Sequence, residues 1–193
     1  MEKLVDGFGR TINYLRISVT DRCNLKCSYC YGGVRIVRLK ESEILTYEEI
    51  LSVVDAARTL GIVNFRLTGG EPLLRKEIVH LIRELTARGL NIGLTTNGVL
   101  LGPNAQKLYD AGLRRINVSM DTLSGEKFHE NTGGILDDVL RGIHAVCKLG
   151  FGPVKVNTVI TTDDADGFDG FVNWAKERKI ILKVIERMPL GTK

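Results

Sequence analysis

Six short β-forming runs alternate with amphipathic helical stretches along this chain, and that alternation most limits what it can fold into. The runs cover residues 14–19, 64–68, 91–95, 115–119, 154–160 and 180–185. Helices are expected over 47–59, 76–88, 104–111, 135–149 and 168–178, with a short extra one at 125–130. Strands joined by helices pair in parallel through right-handed crossovers. Local signals agree with this reading. Thr46 stands at an N-cap position before Glu48 and Glu49, whose charges suit the positive end of a helix. Gly61, Gly89, Gly112 and Gly150 each follow a helix, where the chain needs a positive φ. No linker divides the 193 residues, so a single domain over 1–193 is expected.

Alternation within the runs separates two faces. One is apolar: Leu15, Ile17 and Val19; Phe65 and Leu67; Ile92 and Leu94; Ile116 and Val118; Val154 and Val156; Leu182 and Val184. The other carries Arg16, Ser18, Asn64, Arg66, Thr68, Thr95, Arg115, Asn117, Ser119, Lys155, Asn157 and Lys183. A closed barrel fills its interior with Val, Ile and Leu. A doubly wound sheet reads as apolar on both faces. Neither accommodates so many polar side chains, because buried charge is costly unless paired or used. The pattern implies an α/β fold, a partial, open (β/α)6 TIM-like barrel with helices outside. Its lumen is wet and cationic and suits a polar, anionic ligand.

The net charge of +4, without a long Lys/Arg run, allows a small anionic partner and argues against nucleic acid. No apolar run approaches the roughly 20 residues of a membrane span. The N-terminal stretch also lacks the apolar core of a secretion signal. The reading is a cytoplasmic protein without membrane contact, whose thiols stay reduced. Three of its four cysteines fall in DRCNLKCSYC, residues 21–30. Cys23, Cys27 and Cys30 follow C-x3-C-x2-C directly after the first run, a pattern that points to metal or catalysis. A structural zinc site needs a fourth Cys or His. Cys147 sits among apolar residues of an expected helix, and His80, His129 and His144 lack ligand spacing to the triplet. A four-iron cube held by three cysteines keeps one iron open. A redox pair of Cys27 and Cys30 is the alternative, and it leaves Cys23 without a role.

C-x3-C-x2-C with Tyr29 before the last cysteine resembles the radical S-adenosylmethionine (SAM) superfamily. GRTINYLRISVTDRCNLKCSYC, FRLTGGEPLLR, LTTNGVLL, LYDAGLRRINVSMDTL, VKVNTVI and VIERMPLG follow in the order and spacing of one family within it. That family is the GTP 3′,8-cyclases of molybdenum-cofactor biosynthesis. The resemblance implies a barrel of the radical SAM type and a [4Fe–4S] cluster on Cys23, Cys27 and Cys30, whose open iron binds SAM. It implies reductive cleavage of SAM to a 5′-deoxyadenosyl radical that abstracts hydrogen from GTP, with one electron from a separate reductant. It places Tyr29, Gly70, Glu71, Ser119, Lys183 and Met188 at SAM, with the Gly69–Gly70 backbone approaching the ligand closely. Arg16, Arg66, Thr95 and Lys155 fall at GTP, where Arg and Lys suit a triphosphate. It adds no catalytic side chain beyond the cluster and SAM.

Some positions depart from the family pattern. Asn64 replaces a Lys, Lys183 replaces an Arg, and Tyr31, Gly134 and Arg187 replace other residue types. The family's C-terminal region, with a second cluster on three further cysteines where guanine binds, is absent from this chain. The sequence reads as a radical SAM lyase of the GTP 3′,8-cyclase type. A radical SAM enzyme acting on another anionic substrate, and a nonenzymatic cluster- or nucleotide-binding module, stay open as alternatives. The unpaired edges of an open barrel leave homo-oligomerisation open as well.

Overall fold

A computed structural model describes residues 4–31, 38–160 and 168–187. All six expected strands form: β1 (Tyr14–Ser18), β2 (Asn64–Thr68), β3 (Asn91–Thr96), β4 (Arg115–Ser119), β5 (Val154–Ile160) and β6 (Ile181–Glu186). They pair in parallel and in chain order, β1-β2-β3-β4-β5-β6. Among the described residues β1 and β6 do not pair with each other, so the barrel is open. The helices are α1 (Ser28–Tyr31), α2 (Tyr47–Thr59), α3 (Ile78–Ala87), α4 (Leu101–Asp110), α5 (Gly125–Thr132), α6 (Leu136–Lys148) and α7 (Phe168–Glu177).

The helix ends follow from local chemistry. Thr46 Oγ1 accepts from Glu49 N at 3.2 Å and Glu49 Oε2 accepts from Thr46 N at 2.7 Å, a reciprocal cap on α2 that contributes about 1 kcal/mol. Gly61, Gly89, Gly112 and Gly150 close their helices at φ of 82°, 72°, 90° and 78°. Two helix starts differ from expectation by two residues or more. α4 starts at Leu101, because Pro103 lies in its first turn, where an N–H has no partner within the helix. α3 starts at Ile78, after Glu77 takes a left-handed conformation. The four-residue α1, which carries Cys30, has no periodicity that sequence could register.

The apolar strand face packs under the helices. Val19, Phe65, Leu67, Ile92, Leu94, Ile116, Val118, Val154 and Val156 are buried, together with Val54, Leu81, Leu85, Leu108, Val139 and Ile143. β6 departs from this rule: Leu182 is half-buried and Val184 is 43% exposed. An edge strand has a pairing neighbour on one side only. Because every strand is parallel, their C-terminal ends gather at one end of the barrel. The segments after β1, β2, β3 and β4 meet there.

Candidate functional site: a cysteine loop above a cationic lumen

The cysteine loop is anchored by Leu25, which is 4% exposed. A Cβ on Gly134 would lie 2.6 Å from Leu25 Cδ2, so the glycine at this departing position makes room for the anchor. Lys26 N donates to Thr132 O at 2.9 Å and ties the loop to the end of α5. On this loop Cys23 and Cys27 are half-buried, Cys30 is exposed, and all three thiols are free. A hydrogen bond from the Cys27 thiol lowers the Cys30 thiol to about 7. The same contact, with burial, pushes Cys27 up, so these two sulfurs are neighbours. Among the described residues no three His, Cys, Asp or Glu side chains converge on a single metal-ion position.

The turn after β2 backs onto this loop. Gly70 N donates to Thr20 O and Glu71 N to Arg22 O, both at 2.7 Å. A Cβ on Gly69 would lie 2.3 Å from Thr20 O, and one on Gly70 2.3 Å from Arg22 O. The close approach that requires these glycines is therefore to the protein's own backbone just before Cys23. The Glu71 carboxylate points inward and is fully buried. Oε1 accepts from Thr96 Oγ1 at 2.8 Å and Leu73 N at 3.0 Å, and Oε2 accepts from Asn97 N at 2.7 Å. Burial raises its pKa while these three donors oppose the shift. Glu71 thus fastens the β2 turn to the end of β3, and it does not line the lumen.

Tyr29 bridges the loop to the barrel wall. Its hydroxyl donates to Asp121 Oδ2 at 2.9 Å, and Asp121 Oδ1 accepts from Val159 N at 2.8 Å. Burial, then the Asp121 charge, pushes the Tyr29 hydroxyl up, which keeps it protonated as the donor.

Below the loop, the polar strand face lines a cavity of about 530 Å³. Strand register sorts its residues into rows. Arg16 pairs with Arg66 toward the lower end. Thr95, Asn117 and Lys155 form the next row. Ser119, Asn157 and Lys183 form the row above. Asp121, Val159 and Tyr29 lie at the top, beside the cysteine loop, and line the same space. Arg66 is only 8% exposed. Its Nε donates to Tyr14 Oη at 2.5 Å and its Nη1 to Leu94 O at 3.3 Å. A Cβ on Gly93 would lie 2.9 Å from Arg66 Cζ and Nη2, so the missing side chain is what lets the guanidinium lie against the sheet. Among the described residues none of Arg16, Arg66, Lys155 and Lys183 is paired with a carboxylate. Nearby, Asn157 Oδ1 is buried without a hydrogen-bond partner among the described residues. A half-enclosed space with unpaired cations and an orphaned acceptor is built for an anion that also carries donors.

Most residues singled out in the sequence meet here. Tyr29, Ser119, Lys183, Arg16, Arg66, Thr95 and Lys155 share the cavity. Gly70 and Glu71 stand behind Cys23 instead, and Met188 lies outside the described residues. Asn64 is drawn out of the cationic set: Nδ2 donates to Asn13 O at 3.3 Å, and Oδ1 accepts from Asn91 Nδ2 at 2.7 Å. Cys147 is half-buried on α6, near Trp174 and Arg178, on the helical side of the sheet. Sequence reading missed Tyr14, Gly93, Asn97 and Asp121. The first two share the parity of Arg16 and Thr95 and were within reach of the alternation. The last two lie past strand ends, where alternation says nothing.

Such a barrel, with a thiol triplet at the strand ends, is the architecture of a radical SAM protein. The sequence profile of the Radical SAM superfamily matches residues 17–175, and the chain belongs to that superfamily. Within it, the chain is similar to proteins named GTP 3′,8-cyclase. The one from Peptoclostridium acidaminophilum is 49% identical over 193 residues, covering 98% of this chain and 59% of that protein. The one from Thermodesulfovibrio yellowstonii is 48% identical over 191 residues, covering 96% and 59%. The chain thus spans about three fifths of the length of these curated relatives. Among solved structures, Streptococcus suis SuiB bound to S-adenosylmethionine superposes with a TM-score of 0.76 at 20% identity, covering 93% of this chain and 41% of that one. Methylornithine synthase PylB superposes at 0.72 and 19% identity, covering 91% and 53%. These neighbours share the fold.

Membership implies a [4Fe–4S] cluster and SAM, and the residues present fit them. Three free thiols are soft donors suited to iron–sulfur ligation. They sit on a loop pinned to the barrel end, above a cavity roomy and polar enough for a charged nucleoside ligand. Among the described residues no helix is long and apolar enough to cross a membrane.

Proposed function

We propose that this chain is the catalytic barrel of a radical SAM lyase of the GTP 3′,8-cyclase type, acting in molybdenum-cofactor biosynthesis. The carrying observation is the set of cations, Arg16, Arg66 and Lys155, that have no carboxylate partner among the described residues and line the lumen below the cysteine loop. The cluster and SAM together supply a one-electron cleavage that yields a 5′-deoxyadenosyl radical. The protein's residues hold and orient the reactants. Cys23, Cys27 and Cys30 ligate the cluster. Tyr29, the Gly70 backbone, Ser119, Lys183 and Met188 surround SAM, and Glu71 acts by fixing the turn that carries Gly70. Arg16, Arg66, Thr95 and Lys155 hold the GTP triphosphate, whose charge matches theirs. The rows set by strand register agree with this division, with the SAM set above and the GTP set below. The electron comes from a separate cytoplasmic reductant.

The reading is tested with the anaerobically reconstituted chain, deuterated GTP, SAM and a reductant. Deuterium should appear in 5′-deoxyadenosine, and calorimetry should detect GTP binding that weakens with added salt. A chain that cleaves SAM yet binds no GTP would instead be a radical SAM enzyme for another anionic substrate. Asn64 favours that second reading, because its neutral amide is held by Asn13 O and Asn91 Nδ2 and adds no charge for a triphosphate.

A further inference from the structure

Given a cluster on Cys23, Cys27 and Cys30, as proposed above, we infer that Asn97 donates a hydrogen bond to the Cys23 sulfur and thereby sets the reduction potential of the cluster. Asn97 follows β3 and reaches back across the barrel end to the loop after β1. Its Nδ2 lies 3.7 Å from Cys23 Sγ and 2.8 Å from Asn24 Oδ1, so each amide hydrogen has an acceptor. The amide orientation is fixed independently. Val99 N, which can only donate, lies 3.1 Å from Asn97 Oδ1. A flipped amide would set donor against donor. The backbone is held too, because Asn97 N donates to the buried Glu71 carboxylate at 2.7 Å. The donor therefore aims at the sulfur through a chain of bonds that begins at the Gly-Gly-Glu turn.

Leu25 N also donates to this sulfur, at 3.4 Å. That donor is backbone and holds the loop itself, whereas Asn97 can be changed without altering the loop sequence. Reduction adds negative charge to the cluster and its thiolate sulfurs. An N–H···S bond stabilises the reduced form more than the oxidised one and raises the potential. Asn97 is thus a positioning and tuning residue just past a strand that supplies no cluster ligand. The same motif segment also supplies Thr95 to the lumen.

The test is a potentiometric titration, followed by electron paramagnetic resonance, of the full reconstituted chain and its Asn97→Ala and Asn97→Asp variants. Both midpoints should fall below that of the unchanged chain, Asn97→Asp furthest because it adds a negative charge, with iron and sulfide content retained. An unchanged midpoint in fully loaded Asn97→Ala overturns the inference. Should the variants load poorly, the unchanged chain made with side-chain 15N-asparagine decides the matter. Pulsed electron–nuclear spectroscopy of the reduced cluster should show a 15N coupling, and its absence overturns the inference. An unchanged chain that takes up no iron overturns the functional reading itself. That result is distinct from a loaded cluster indifferent to Asn97.

Discussion

Gly93 sits in the middle of β3, where a glycine ordinarily weakens a strand. Here it clears the space that the Arg66 guanidinium occupies, 2.9 Å from where a Cβ would be. Tyr14 holds the other side of the same group through its hydroxyl. Gly93→Ala should leave the fold intact, because the displaced group is the flexible end of a side chain. Thermal stability should match that of the unchanged chain or exceed it slightly. GTP affinity should fall about tenfold or more, from the ~1.5–3 kcal/mol of a hydrogen bond to a charged group. SAM cleavage without GTP should be unaffected. Calorimetry and a deoxyadenosine assay read the two effects separately, and a loss of both would mean that Gly93 serves the barrel rather than Arg66. The Gly69–Gly70 pair teaches a related point. Sequence shows that a backbone must come close to something there, and the structure identifies it as Thr20 and Arg22. Nothing in a single chain distinguishes a ligand from a neighbouring backbone as the cause of a glycine.

At the scale of elements, α1 is four residues long and cannot be stable alone. Tyr29 and Asp121 hold it to β5. Asp121→Ala removes the acceptor for Tyr29 Oη and Val159 N, among other contacts, and should cost about 1–3 kcal/mol locally. Tyr29→Phe should cost less, since it removes only one donor. Both should speed hydrogen exchange at the amides of α1 and hasten cluster loss in air, with α3 and α6 unchanged. Exchange as slow as in the unchanged chain would show that the cysteine loop holds itself. The strands were legible in the sequence because a pleated strand turns each side chain opposite to the last. Parity alone therefore placed Arg16, Arg66, Thr95, Asn117, Lys155 and Lys183 on one wall. The groups that join strand ends, Asn97 and Asp121, lie in irregular segments whose direction only three-dimensional packing decides. β6 looked like its neighbours in sequence, but its edge position leaves Val184 exposed.

Over the whole molecule, six parallel strands gather their C-terminal ends around a thiol loop and leave a cationic lumen beneath it. The open edge is what allows that lumen to be polar, since a closed barrel of this type packs its interior with apolar side chains. The fold class was readable from the same polar face, because charge density on one wall excludes both alternatives. The division of ligands between rows came from family resemblance, and strand register supplies a physical frame for it. The most direct measurement of the account is 5′-deoxyadenosine formed when the anaerobically reconstituted chain meets SAM and a reductant, read beside iron content. The chain should hold about four irons and form deoxyadenosine, and Cys23→Ala, Cys27→Ala and Cys30→Ala should each abolish both. A fully iron-loaded chain that forms no deoxyadenosine, or one that binds stoichiometric zinc and no iron, would contradict it.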